Sequence, residues 1–563
     1  MTVRFGELPL LSILVWTPAL GAVLIAVLPG NSKLVRRGIA GVAMAVSLIA
    51  FIAVAAGFAK GTAEFQFVED YPWAPTISSR YILGIDGISL LMVGLTVVLF
   101  PVSVLATLDS PSIKEGERPY LSLLLVLESA ILGAFLALDL LLFFVFWEAV
   151  LVPMYFLIAG WGSDRRQYAA IKFFLYTMLG SAFLFVGIVY LAVAHSHLSG
   201  TFTFDLRLLD GGQFSKATQV ALFAAFGAGF AVKVPVFPLH TWLPDAHTEA
   251  PTAGSVILAG VLLKLGVYGF LRFSLPLFPQ GAEALLPLLL VLGLVGIVYG
   301  ALVSAVQKDL KRLIAYSSVS HLGFAIVGIF VVTSQGAQGG LLQMFNHGVS
   351  TGALFLLVGM VYDRLHTRRI EEMGGIWSVM PVYGGIFLLT ALASIGLPGL
   401  GGFVGEFLVL AGSFLRNPVI AAIAGLGVIL SAVYLLWAFQ RAFTGVRGPR
   451  VGSEAYDIRG REVVALVPLV ALMLLVGLHP EPLIERSEPS LDKVVRNFAS
   501  EAGIDRPDLV VAQTASDGSK GAIDDASGDS DELDNSRGTP AASNGPVEIS
   551  HSLGSLASQE SGR

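Results

Sequence analysis

LLLFFVFWEAVLVPMYFLIA, residues 140–159, is twenty residues long, and Glu148 is its only charged residue. Twenty helical residues rise about 30 Å, the thickness of a bilayer's hydrocarbon layer. The run therefore reads as a transmembrane helix. It also places a carboxylate near the membrane centre, where a charge costs at least ~2.5–3.5 kcal/mol and points to function.

Working outward, such runs repeat. The 563 residues are 55% apolar and 13% charged, with mean hydropathy +0.76, against about 25% charged in an ordinary soluble domain. The pattern predicts an all-α polytopic membrane protein with about fourteen spans. The first seven are Leu8–Pro29, Leu34–Phe58, Gly84–Leu108, Tyr120–Leu138, Leu140–Ala159, Tyr168–Ala194 and Gln219–Pro238. Then come Ser255–Phe273, Leu285–Val306, Leu313–Val332, Leu341–Tyr362, Tyr383–Phe414, Val419–Phe443 and Val463–Leu478.

Loop charge supports this count, because Lys and Arg concentrate on the cytoplasmic side of membrane proteins. One set of alternate loops carries eighteen of them, in clusters such as Lys33-Arg36-Arg37, Lys114-Arg118, Arg165-Arg166, Lys308-Lys311-Arg312 and Arg364-Arg368-Arg369. The other set has only Arg4, Lys60, Arg80, Arg207, Lys216, Arg272 and Arg416 before the tail. Both termini are expected on the non-cytoplasmic side. From about Ser500 the composition turns polar; Asp517–Gly538 is mostly Ser, Asp, Gly and Glu, too poor in apolar residues to fold, and reads as part of a disordered acidic tail.

Four charged residues stand well inside spans: Glu148, Lys233 in GFAVKVPVFP, Lys264 in GVLLKLGVYGF and Glu406 in GFVGEFLVL. Unpaired, they would cost roughly 10–14 kcal/mol together. A buried lysine and glutamate whose separation changes can load and release a proton, because burial and an opposite charge shift their affinities in opposing directions. Glu148 and Lys233 form the expected coupling pair, Lys264 the central relay and Glu406 the terminal donor. His321 in YSSVSHLGF and His347 in QMFNHGVSTG lie among small and hydroxyl residues and are relay candidates. Glu128 stands evenly between relay member and core residue, and Asp139 marks a helix end. His240, Asp245, His247 and Glu249 in HTWLPDAHTEAP read as an interface turn, with no metal assigned.

Two of the charged positions adjoin helix breakers. Pro235, Pro238 and Pro244 follow Lys233, and GLPGLGG (396–402) precedes Glu406. Broken helices at membrane depth line cavities, and recurrence in two halves marks transport sites. Spans seven and twelve are five helices apart, as two inverted five-helix repeats would require. The expected organisation is residues 1–110 (helices one to three), 111–275 (first repeat), 276–445 (second repeat), 446–499 (last span and an amphipathic segment) and 500–563 (tail). The chain has no cysteine and no phosphate-binding loop, so it carries no thiolate-held redox centre or nucleotide motif. Its driving force must come from an ion gradient or from partners.

FFVFWEAVLVPMYFLIAGWG (143–162), VKVPVFPLHTWLPDAHTEAPTAGSVILAGVLLKLGVYG (232–269), KDLKRLIAYSSVSHLGF (308–324) and GLPGLGGFVGEF (396–407) closely resemble the antiporter-like subunits of proton-pumping NADH:quinone oxidoreductase, respiratory complex I. The resemblance runs from about Ile82 to Phe443. Glu406 and HTEAPTAGSV look like the M-type branch (chain 4 in the mitochondrial naming), since N-type, L-type and Mrp antiporter subunits generally have lysine at the Glu406 position. The resemblance implies that Glu148 and Lys233 are the coupling pair, Lys264 the central lysine and Glu406 the exit carboxylate. It places His240, His321 and His347 along a hydrophilic axis. It further implies a bacterial plasma-membrane location, neighbouring L-type and N-type subunits, and FMN, iron–sulfur clusters and quinone in partner subunits, with no cofactor or metal in this chain and no nucleic-acid partner. An Mrp-type cation/proton antiporter subunit is the alternative.

Overall fold

The structure, a computed structural model, describes residues 8–508 apart from 29–31, 111–112, 114–115, 453–455, 459 and 507. The segment 509–563 lies outside the described residues, and so does the reading of it as a disordered tail.

The chain is helical almost throughout. Twelve helices among the described residues are long and apolar enough to cross a membrane, from Leu10–Val27 to Arg461–Leu478. The two expected spans outside this set are the seventh and the twelfth, the pair with helix breakers. Lys216–Lys233 begins and ends on lysine, and the twelfth is divided into Pro381–Ile395 and Gly401–Arg416.

The break after Lys233 follows from proline chemistry. Pro235 has no N–H, so the Ala231 carbonyl takes the Val236 N–H instead, at 2.9 Å. That leaves the Val232 carbonyl without its helical donor, and Trp242 Nε1 supplies one at 2.9 Å. The chain then restarts as Trp242–Glu249 and Thr252–Ile257. In the twelfth span Gly396 ends the first half in the left-handed region, φ +83°, which glycine adopts without a Cβ clash.

Between the second and third spans stands a feature the sequence reading left as loop. Gln66–Ala74 and Ser79–Ile85 pair as an antiparallel ribbon. Asp139 fastens it to the fifth span, accepting the Leu141 and Leu142 amides at 3.0 and 2.9 Å, the Ser79 hydroxyl at 2.9 Å and the Arg80 amide at 3.0 Å. Asp139 is thus a helix cap, as its position suggested.

The amphipathic segment is a helix, Glu481–Ala502, burying Leu491, Val495 and Phe498. Order continues past the expected limit at 499: Arg506 pairs with Asp508 at 2.6 Å, and Asp508 accepts the Ser334 amide at 3.0 Å. The helix joins distant parts of the fold. Ser490 accepts the Gly87 amide at 3.2 Å, Ser487 accepts from Gln338 at 2.9 Å, and Lys493 meets Glu64 at 2.8 Å.

Candidate proton-transfer site

Lys264 is brought to its neighbours by glycines. A Cβ on Gly348 would lie 2.7 Å from the Gly260 carbonyl, so the helix bearing Lys264 and Ser334–Leu365 touch backbone to backbone there. His347 precedes Gly348, and Lys264 lies one turn beyond Gly260. The result is a contact of 2.6 Å between Lys264 Nζ and His347 Nδ1. The backbone before Lys264 is a π-helical turn, Leu258–Leu262, and the ammonium donates to the Ala259 carbonyl. Such turns are frequent at functional sites.

The same device sets Glu406. Added Cβ atoms on Gly402 and Gly405 would come 2.0 Å from the Ala393 carbonyl and 2.8 Å from the Gln343 amide. With this close approach Glu406 Oε1 accepts from Gln343 Nε2 at 2.9 Å and meets His321 Nδ1 at 3.0 Å. His321 Nε2 lies 3.2 Å from the Tyr434 hydroxyl, and the rings of His321 and His347 are 5.8 Å apart. Four of the seven expected residues therefore form one series, Lys264–His347–His321–Glu406, contributed by four different helices. Each is at most 2% exposed, so the series is closed to bulk water. His347 Nε2 and Glu406 Oε2 lack protein partners. Each faces inward with hydrogen-bonding capacity unused.

The other three stand apart. Lys233 Nζ lies 4.6 Å over the Trp147 ring, a cation–π contact, and has no hydrogen-bond partner. Among the described ion pairs it makes none with Glu148, one of whose oxygens is likewise buried without a partner. His240 is held among Phe237 and Tyr299, at ring distances of 5.6 and 5.1 Å.

Several polar residues that the sequence reading placed at an interface turn or in loops, or left undecided, are buried. His247 is fully buried, stacks on Phe355 at 4.7 Å and has no partner on either nitrogen. Lys311, counted as a loop cation, is buried and donates to the Ala250 carbonyl at 2.5 Å. Arg272, also counted to a loop, forms a buried pair with Asp86 at 2.5 Å. Both lie within one or two turns of a span end, where a hydropathy window sees loop. Glu128 is fully buried and neither carboxylate oxygen has a partner.

Comparison with known proteins gives the fold its relatives. The family described as NADH:quinone oxidoreductase/Mrp antiporter, transmembrane, matches residues 137–432. NADH-quinone oxidoreductase subunit M of Rhodobacter capsulatus is 44% identical over 505 residues, covering 88% of this chain and 98% of that protein. A chain of respiratory complex I from Thermus thermophilus superposes with TM-score 0.78 at 34% identity, covering 87% of this chain and 99% of that one. A chain of the Mrp complex from Dietzia sp. superposes with TM-score 0.76 at 22% identity, covering 89% and 99%, which shows a shared fold.

Proposed function

Because the chain belongs to the NADH:quinone oxidoreductase/Mrp antiporter family, as a subunit M (chain 4) member of respiratory complex I, we propose that it passes protons along the series Lys264–His347–His321–Glu406. The observation that carries this reading is the direct contact of Lys264 with His347 and of His321 with Glu406 in a water-excluded interior. His347 Nδ1 faces an ammonium, so in neutral His347 the ring proton sits on Nε2. A proton from Lys264 taken at Nδ1 frees the Nε2 proton to leave toward His321. The two rings, 5.8 Å apart, share no direct hydrogen bond, so this transfer needs an intervening donor–acceptor group, and the proton must arrive at His321 Nε2, the nitrogen beside the Tyr434 hydroxyl. His321 then hands a proton through Nδ1 to Glu406.

Glu148 and Lys233 are the proposed coupling pair. With Lys233 over Trp147 and out of ion-pair contact with Glu148, a shift of either side chain changes the charge felt at the other. His240, in the turn that follows the broken seventh span, is assigned to the same axis. The halves 111–275 and 276–445 are proposed as inverted repeats, supported by one broken helix in each. Residues 1–110 and 446–499 flank them. FMN, iron–sulfur clusters and quinone are assigned to partner subunits, L-type and N-type subunits to its flanks, and the chain to a bacterial plasma membrane with both termini outside the cytoplasm.

The test is Glu406→Gln in the assembled complex reconstituted in vesicles, reading NADH-driven proton uptake. A positioned proton-transfer group contributes about 10²–10⁴ in rate, so uptake should drop tenfold or more with subunit content unchanged. Unaltered pumping would remove Glu406 from the path.

A further inference from the structure

A groove of about 790 Å³ opens on the outer surface of the bundle, lined by side chains of the Glu117–Leu136 and Leu151–Trp161 helices. Tyr155, Phe156 and Ala159 give it an apolar wall. The charge in the groove is one-sided. Arg118 lines it and no carboxylate does. The guanidinium is held in place, with Nε donating to the Ile25 carbonyl at 2.7 Å and Nη2 to the Leu28 carbonyl. Among the described residues its Nη1 makes no hydrogen bond. Arg166 reaches the same end, donating from Nη1 to the carbonyl of the lining residue Gly160 at 3.1 Å. Gln167 and Trp161 complete that end. Arg118 and Arg166 both belong to the lysine- and arginine-rich side of the chain. Trp161 is an amphipathic ring of the kind that sits at headgroup level.

We infer that this groove is a binding site for one anionic phospholipid, with an acyl chain along Tyr155, Phe156 and Ala159 and the headgroup phosphate at Arg118 and Arg166. Basic pockets between transmembrane helices on the cytoplasmic side hold anionic headgroups, and guanidinium N–H groups match phosphate oxygens in pairs. The absence of a carboxylate among the lining residues gives the choice of lipid its direction. A zwitterionic headgroup would bring an ammonium that finds no counter-charge there, whereas a phosphatidylglycerol or cardiolipin headgroup adds no cation.

The experiment uses the intact complex, extracted gently and exchanged into nanodiscs of phosphatidylglycerol and phosphatidylcholine, with retained lipid counted by native mass spectrometry. One anionic lipid should stay with the wild-type complex. Arg118→Gln should weaken its retention about fivefold, the effect of one basic residue at an anionic surface. Ala159→Phe, which fills the groove and leaves the charge intact, should remove the same lipid and serves as the second variant should Arg118→Gln fail to assemble. Equal retention in wild type and both variants, or retention of phosphatidylcholine in place of phosphatidylglycerol, would overturn the site. So would a photo-crosslinker at Phe156 that labels a neighbouring subunit and no lipid.

Discussion

At the scale of single residues, the buried cations and carboxylates are poor choices for stability. Burying a charge is favourable only when excellent geometry repays its desolvation. Lys264 has one histidine and one carbonyl around it, while Lys233 has an aromatic face and no hydrogen bond. An apolar residue of similar length would pack as well. Lys264→Met should therefore leave the complex as heat-stable as the parent or more so, with a gain of up to about 4 kcal/mol, while NADH-driven proton uptake is lost. A thermal unfolding scan beside a pumping assay separates the two effects. A loss of stability with pumping retained would make Lys264 a structural brace.

At the scale of elements, function depends on where helices stop. The twelfth span folds back at Gly396 because φ +83° suits glycine, and Gly402 lets the second half come against Ala393. Gly402→Ala would set a methyl 2.0 Å from the Ala393 carbonyl, so the Gly401–Arg416 helix must move. Glu406 lies one turn on, and its contact with His321 should lengthen. The expected outcome is a several-fold drop in proton uptake with Glu406 still present, and pumping at the parental rate would show that the close approach is dispensable.

The ribbon offers a test with a pH sign. Asp70, on its first strand, loses some solvation there, but Arg207 at 2.9 Å and Arg80 at 2.7 Å outweigh that and hold its carboxyl below the ordinary value of 3.8. A depressed carboxyl stabilises the fold above its unfolded value and ceases to do so as pH falls through the folded one. Anchoring of the ribbon to the Asp205–Arg207 loop should hold from neutral pH down to about 4 and weaken below the ordinary carboxyl range. Hydrogen exchange of the Tyr71 and Tyr81 amides reports it, and Asp70→Asn should abolish the acid dependence.

At the scale of the whole molecule, the chain is one subunit of a larger respiratory complex. A subunit of NADH:quinone oxidoreductase must be driven by the rest of the complex. Tagging the chain and extracting membranes gently should bring down NADH:quinone reductase activity together with flavin and iron–sulfur absorbance. A stable eluate without them would separate this chain from the complex and favour ion exchange on the same fold. The Glu481–Ala502 helix gives the molecule its long-range closure. Gly87, Gln338 and Glu64 all bond to it, which ties the segment between the second and third spans to the eleventh span.

The sequence by itself determined the membrane class, the run-by-run helices, the four charged residues inside spans and the two places where helices break. Each rests on a local rule: twenty apolar residues span a bilayer, a charge among them is costly, and proline and glycine interrupt hydrogen bonding. Tertiary structure alone decided which of these residues meet. Lys264 reaches His347, 83 positions away, because Gly260 and Gly348 let two backbones touch. Glu148 and Lys233, paired by expectation, are held out of ion-pair contact with Trp147 beneath the lysine. Lys311 and Arg272 sit at span ends that read as solvent-exposed, and only helix packing buries them. Hydropathy records what a segment prefers as surroundings; the partner that provides them comes from packing between segments distant in sequence.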